Sequence, residues 1–170
     1  MLHGSKSLLK LSLAFVLVTV VLPAPAADFP VADRVVIDKS DRQITLWRGD
    51  TLLKRAKVAL GLRPQGHKSR EGDFRTPEGR YQLAERNPNS DFFLSIRVSY
   101  PAPDDVRKAA RLGVAPGGQI MIHGQPNKPK HNEEYYRRTD WTDGCIAVSN
   151  SDMVDIWLMT TPSTPITIRP

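Results

Sequence analysis

The stretch WTDGCIAVSNSDM (141–153) holds a bend, an apolar strand and a helix start in immediate succession. Gly144 permits a sharp turn of the backbone just ahead of Cys145. The run Ile146-Ala147-Val148 then reads as a short strand. Ser149, with Asp152 three residues on, forms a capping-box-like signal in which Asp stands in place of Glu. The spacing predicts a helix over 149–159, with Met153, Ile156 and Trp157 at i, i+3 and i+4 as its apolar stripe. Strand and helix thus meet at a turn carrying the chain's one cysteine.

Moving outward, GGQIMIHG (117–124) predicts a strand ending at His123, and PDDVRKAARLG (103–113) a second helix. In that helix Asp104 and Asp105 mark the start, Val106, Ala109, Ala110 and Leu112 the apolar face, and Gly113 the stop. RVVID (34–38) and QITLWRG (43–49), separated by the polar KSDR, read as a hairpin, and TLLKRAKVAL (51–60) adds a third strand. RYQLAE (80–85) and FFLSIRVSY (92–100) are further strands, and PITIRP (165–170) reads as a closing edge strand. The glycine-, proline- and charge-rich stretch over 61–79 is too long for a simple turn, and loops of that length are usually functional or mobile. KPKHNEEYYRR (128–138) reads as a polar segment. The sum is an α+β chain, mainly β with two short α-helices.

The first residues read differently. MLHGSKSLLK carries Lys6 and Lys10 and no acid, then come the apolar LSLAFVLVTVVL and the small-residue exit PAPAAD. Basic, apolar and small-residue regions in that order describe a secretory leader over 1–26. The apolar run is shorter than the ~20 residues of a spanning helix, so cleavage near Ala27 is expected, with an uncleaved anchor as the rival reading. Residues 27–170 then make one domain. The formal charge is +6, and losing Lys6 and Lys10 brings it to +4. The bases are dispersed, which suits an anionic surface such as a bacterial wall and offers no nucleic-acid motif.

Export exposes cysteines to oxidation, and one cysteine cannot staple its own chain. Cys145 is a buried filler, an intermolecular link or a working thiol. A thiol attacks a carbonyl as thiolate, and an imidazole can take the proton to give a thiolate–imidazolium pair. Of the four histidines, His3 lies in the leader, His67 in the long loop and His131 in the polar segment, whereas His123 ends an apolar strand that can fix its ring. The bend at Gly144 could aim successive amides at the attacked carbonyl's oxygen. Taken alone, His123 could be an ordinary strand-end histidine, Gly144 a plain turn glycine, and Thr142 and Trp141 packing residues.

Together these pieces resemble the L,D-transpeptidase catalytic domain, the YkuD type, over roughly 34–168. GDFRTPEGRYQL is similar to the family's Thr-Pro-x-Gly-x-aromatic segment at Thr76, Pro77, Gly79 and Tyr81. IMIHG is similar to the strand bearing the base, and WTDGCIAVSNSDM to the nucleophile turn. The resemblance implies an L,D-transpeptidase-like β-sandwich or mixed-sheet domain acting on peptidoglycan stem peptides. It makes Cys145 the nucleophile and His123 the general base, gives the Gly124 carbonyl the task of orienting the ring, and puts oxyanion donors at the amides of Gly144 and Cys145. No metal or organic cofactor is implied. Two departures bear on the site. Asp143 stands where members commonly have a second histidine, and is read either as orienting a cationic amine or the imidazolium, or as capping the turn. Ala147 stands where members often carry Arg or Asn, so a contact to the substrate carboxylate falls to Arg80, Arg137 or Arg138, with Thr142 and Trp141 as further substrate contacts. The Trp-Thr-x-Gly-Cys-Ile-Ala variant resembles the YafK-like branch, for which hydrolytic release of a wall-linked lipoprotein is the alternative to cross-linking. Two other classes remain open: a metal module built from His123, His131, Cys145 and Asp143, and a non-catalytic wall-binding domain with the cysteine as filler.

Overall fold

The computed structural model describes Met1 and residues 30–170. The expected leader over 1–26 and its cleavage site lie outside them, apart from Met1. Among the described residues no helix is long and apolar enough to cross a membrane.

Eight strands and three helices follow in the order β1 (Arg34–Asp38), β2 (Gln43–Arg48), β3 (Thr51–Lys57), β4 (Gly79–Ser90), β5 (Phe93–Val98), α1 (Pro103–Arg111), β6 (Met121–His123), α2 (Glu133–Arg138), β7 (Ile146–Ala147), α3 (Asn150–Met159) and β8 (Pro165–Arg169). The strands form one mixed sheet ordered β3-β2-β1-β8-β4-β5-β6-β7, so the mixed-sheet form is realised rather than a sandwich. The β1–β2 hairpin alternates cleanly: Val35, Ile37, Ile44 and Leu46 are fully buried and their neighbours face outward, the period-2 pattern of a half-buried pair.

Three sequence expectations change. PITIRP is no edge strand: β8 runs parallel to β1 and antiparallel to β4 in the middle of the sheet. Ile166 and Ile168 are both 1 % exposed, which an interior position requires of an isoleucine pair on the core face. The polar 128–138 segment contains a third helix, α2, where the Asn132 side chain accepts from the Tyr135 amide at 2.9 Å and Tyr136 is the buried anchor. Acids in the first turn and arginines in the last suit its dipole. In α1 the expected apolar face is not the buried one. Val106, Ala110 and Leu112 are exposed, and the helix turns Asp105 and Ala109 inward. Asp105 overrides the stripe because its carboxylate meets the Ala102 amide (2.9 Å), the Tyr81 hydroxyl (3.1 Å) and His67 Nε2 (3.2 Å).

α3 begins at the expected place. Ser149 Oγ accepts from the Asp152 amide at 3.1 Å, Met153 and Ile156 are wholly buried, and Trp157 packs partly against the same core. Lys54 on β3 pairs with both Asp152 and Asp155 at 2.7 Å, tying the helix to the sheet. The long 61–79 stretch, up to the start of β4 at Gly79, is neither strand nor helix but is held at both ends. Lys39, 3 % exposed, donates to the carbonyls of Gly66 (2.7 Å) and Thr76 (3.0 Å) and pairs with Glu78 (2.7 Å). Asp73 pairs with buried Lys68 (2.8 Å) and accepts from the amides of Ser69, Arg70 and Arg75.

Candidate active site

The nucleophile turn sits on a framework of backbone bonds from that loop. Residues 59–62 pair with 142–147: Ala59 and Ala147 exchange two bonds of 2.8 Å, Leu62 N donates to Thr142 O (2.9 Å), and Thr142 N to Leu60 O (3.1 Å). Gly61 N donates to Thr76 Oγ1 at 3.2 Å. The approach is close enough that glycine is required twice. A Cβ on Gly61 would stand 2.2 Å from Phe74 O, and one on Gly144, where φ is +129°, would stand 2.6 Å from Arg75 O. Within the turn, Thr142 Oγ1 donates to Cys145 O (2.8 Å) and accepts from Gly144 N (3.1 Å). The Gly144 amide, one of the two expected oxyanion donors, is thus engaged within the turn.

β6 and β7 run parallel, with Ile122 opposite Ile146 and His123 opposite Ala147. Ile122 and Ile146 turn into the core. His123 and, two residues before Ala147, Cys145 thus belong to the opposite face. Both line a cleft of about 640 Å³ together with Trp141, Thr142, Asp143, Ile120, Met121, Ser95 and the β4–β5 hairpin residues Asn87 and Asn89 to Phe92. The cysteine is free, and its Sγ faces Gln119 O at 3.4 Å.

The His123 ring is fixed on three sides. Nδ1 donates to Gly124 O at 2.7 Å, while the rings of Phe92 and Trp141 lie 4.7 and 5.6 Å from it, centroid to centroid. That bond directs the Nε2 lone pair away from the backbone. Gly124 has no room for a side chain, since a Cβ would stand 2.5 Å from Asn150 Oδ1. Burial pushes the imidazole down to about 4, against a smaller upward pull from Gly124. Burial also pushes the Cys145 thiol up; the Met121 amide lowers it, Asp143 raises it and Lys68 lowers it again. Both shifts favour the uncharged forms. Burial thus pushes each group toward its uncharged form, away from the thiolate–imidazolium pair that the sequence anticipates.

The structure brings Cys145, His123, Gly144, Asp143, Thr142 and Trp141 together, with Gly124 behind the ring. Arg80 and Arg138 lie elsewhere. Arg80 alternates with buried Tyr81 on β4 and faces solvent, and Arg138 pairs with Glu134 one turn back on α2 at 2.9 Å. Arg137 opens onto another depression, beside Lys57 and Glu133. Among the described residues no Lys or Arg lines the cleft, whereas Asp91 and Asp143 do. Arg97, on the cleft face of β5, turns instead to Glu85 at 3.0 Å. His131 stacks on Tyr135 at 4.0 Å and is not a cleft residue. No group of three or more His, Cys, Asp and Glu gathers among the described residues, so the ligand set of the metal module is not assembled. Reading the sequence missed Phe92, Asp91 and Ser95, because nothing local marks them: they reach the cleft only through the β4–β5 pairing. The hairpin tip that carries the first two is stapled by Asn127, which accepts from Phe93 N (3.0 Å) and donates to Ser90 O (2.9 Å).

A buried histidine and a free thiol thus share one face of a mixed sheet, at a glycine-bent turn. The L,D-transpeptidase catalytic-domain model, YkuD, matches residues 32–168, and the chain belongs to that family. Comparison with curated protein sequences gives no match. Similar solved structures include the helical cell shape determining protein Pgp2 of Campylobacter jejuni, with TM-score 0.60 and 24 % identity over 84 % of this chain and 51 % of that one. Bd1075 of Bdellovibrio bacteriovorus gives 0.56 and 22 % over 86 % and 53 %. An L,D-transpeptidase from Mycobacterium smegmatis gives 0.53 and 14 % over 80 % and 58 %. This chain spans about half the length of those proteins, and the likeness is one of fold.

Proposed function

We propose that this domain is an exported, periplasmic cysteine acyl-transferase of peptidoglycan stem peptides. Cys145 attacks the carbonyl of the L-centre in an L,D peptide bond. His123 Nε2 takes the thiol proton as the C–S bond forms, Gly124 O holds the ring through Nδ1, and the Cys145 amide receives the oxyanion. The same proton then goes to the departing amine, leaving a thioester. An amine acceptor or water resolves it, giving transpeptidation or hydrolysis. The observation that carries this reading is the single cleft lined by both His123, anchored through Nδ1 to Gly124 O, and Cys145.

A second reading, hydrolysis in the manner of the YafK-like branch with release of a wall-linked lipoprotein, is favoured by the charge of the cleft. Asp91 and Asp143 face it without any Lys or Arg. A leaving group that ends in a free carboxylate meets like charge there, whereas one carrying an amine does not.

Purified muropeptides incubated with the protein, with and without a competing D-amino acid, separate these outcomes by product mass. Exchange product marks a transpeptidase, truncation a carboxypeptidase, and turnover of lipoprotein-linked muropeptides alone the second reading. Cys145→Ala and His123→Ala should each abolish the product. Undiminished product from both variants would overturn the mechanism.

A further inference from the structure

Ser95 lies on β5 and pairs in register with His123 across the antiparallel β5–β6 ladder. The two side chains therefore leave the same face of the sheet. Leu94, Ile96 and Val98 turn the other way, into or against the core, whereas Ser95, 6 % exposed, lines the cleft. Its hydroxyl makes no hydrogen bond to any described residue, although buried polar side chains are rarely left unpaired. The fully occluded, partnerless side-chain polar atoms among the described residues are Arg86 Nε and Arg97 Nε. Ser95 Oγ is not one of them, because it opens onto the cleft. A β-branched apolar residue would suit a strand position better, so the hydroxyl here is not explained by packing. Its partner comes from the cleft, as water or as a bound molecule that displaces water.

Position says what. Across the cleft face the order is Ser95, His123, Ala147, with Cys145 two residues before Ala147, just ahead of the last strand. β6, which carries His123, thus lies between the strand of Ser95 and the strand that follows Cys145. Given the acyl-enzyme chemistry proposed above, on which this inference rests, the ring serves two protons in turn: that of the thiol on one flank and that of the acyl acceptor on the other.

We propose that Ser95 is a substrate-contacting residue that holds the acceptor. Water and a neutral primary amine each carry two protons. One is donated to Ser95 Oγ and the other points at His123 Nε2. The acceptor lone pair forms the new C–O or C–N bond, the C–S bond breaks, and the acceptor's proton passes through Nε2 to Cys145 Sγ, restoring the thiol. Ser95 loses nothing in the step and acts by orientation.

The test compares wild type, Ser95→Ala and Ser95→Thr by quench-flow and intact mass, with a stem-tetrapeptide muropeptide as donor. Ser95→Ala should acylate within about twofold of wild type but deacylate about tenfold more slowly, the loss of one hydrogen bond. Thioester then accumulates. Ser95→Thr, which keeps the hydroxyl, should stay within about threefold of wild type, and Ser95→Ala should melt no lower than wild type. Wild-type deacylation in Ser95→Ala overturns the proposal, as does equal slowing of both half-reactions in both variants. Absence of any Cys145 adduct in wild type overturns the acyl-enzyme reading itself, whereas an adduct that decays at an unchanged rate in Ser95→Ala overturns the role of Ser95 alone.

Discussion

At His123, Nδ1 donates to the Gly124 carbonyl, which leaves Nε2 as the ring's free lone pair, and burial holds the ring down to about 4. In the proposed role of base the ring works in its neutral form, so activity should be lost as pH falls through that value and not through the 6.5 of an ordinary imidazole. The acid limb of kcat/KM should accordingly have its midpoint near pH 4. A midpoint near 6.5 would mean that the ring is solvated during the reaction. The thiol, pushed up by burial, keeps the upper limb above neutrality. Cys145 and His123 stood out in the sequence because the chain holds one cysteine and four histidines, and one histidine alone ends an apolar strand. Phe92, Asp91 and Ser95 had no such mark. Their types occur everywhere, and register alone carries them to the ring.

Among the elements, the nucleophile turn depends on a loop far from it in sequence. Gly144→Ala places a Cβ 2.6 Å from Arg75 O at a φ of +129°. Such strain costs about 1–3 kcal/mol, and because it displaces the Cys145 amide, turnover should fall more than tenfold while the protein still folds. Wild-type turnover in a variant shown to be folded would disconnect the turn from the chemistry. The loop has its own keystone in Asp73, which satisfies three amides and Lys68 at once and is held near 2, burial opposing and Lys68 with the amides prevailing. Asp73→Ala leaves Lys68, 4 % exposed, without its partner. It should lower stability by about 3–5 kcal/mol, read by denaturant unfolding, and a loss below 1 kcal/mol would show the loop to be independently held. The 61–79 stretch was expected to be functional or mobile. Its function is to brace the turn from behind, while the wall facing the cysteine is the β4–β5 hairpin. Helix α3 was legible because cap and stripe are local signals. α2 was not, because its one buried anchor, Tyr136, has no periodic companions. In α1 a buried carboxylate overrode the stripe, which propensity does not foresee.

For the whole molecule, strand types were readable and strand order was not: nothing within PITIRP states that β8 lies between β1 and β4, since that placement is fixed by pairing with strands far away in sequence, Val35 with Ile166 and Gln82 with Pro165. The same assembly makes stability fall with acid. His123 and Asp73 both have folded-state values below their unfolded ones, so the unfolded chain binds protons first and gains stability relative to the fold as pH drops. His123 supplies a loss between 6.5 and about 4, and Asp73 a further loss between 3.8 and about 2. The melting temperature should therefore begin to decline near pH 6.5, and His123→Gln should remove that first decline. A wild-type curve that stays flat down to pH 4.5 would contradict the burial of the ring.

The most direct test of the proposed chemistry is to digest the protein after a brief, acid-quenched reaction with a stem-tetrapeptide muropeptide and locate the acyl group by peptide mass. The thioester should appear on the peptide that contains Cys145, and should be absent in Cys145→Ala and strongly reduced in His123→Ala. Product formed with no thioester at any time, or an acyl group found on another side chain, would contradict the assignment of Cys145 and His123 as nucleophile and base.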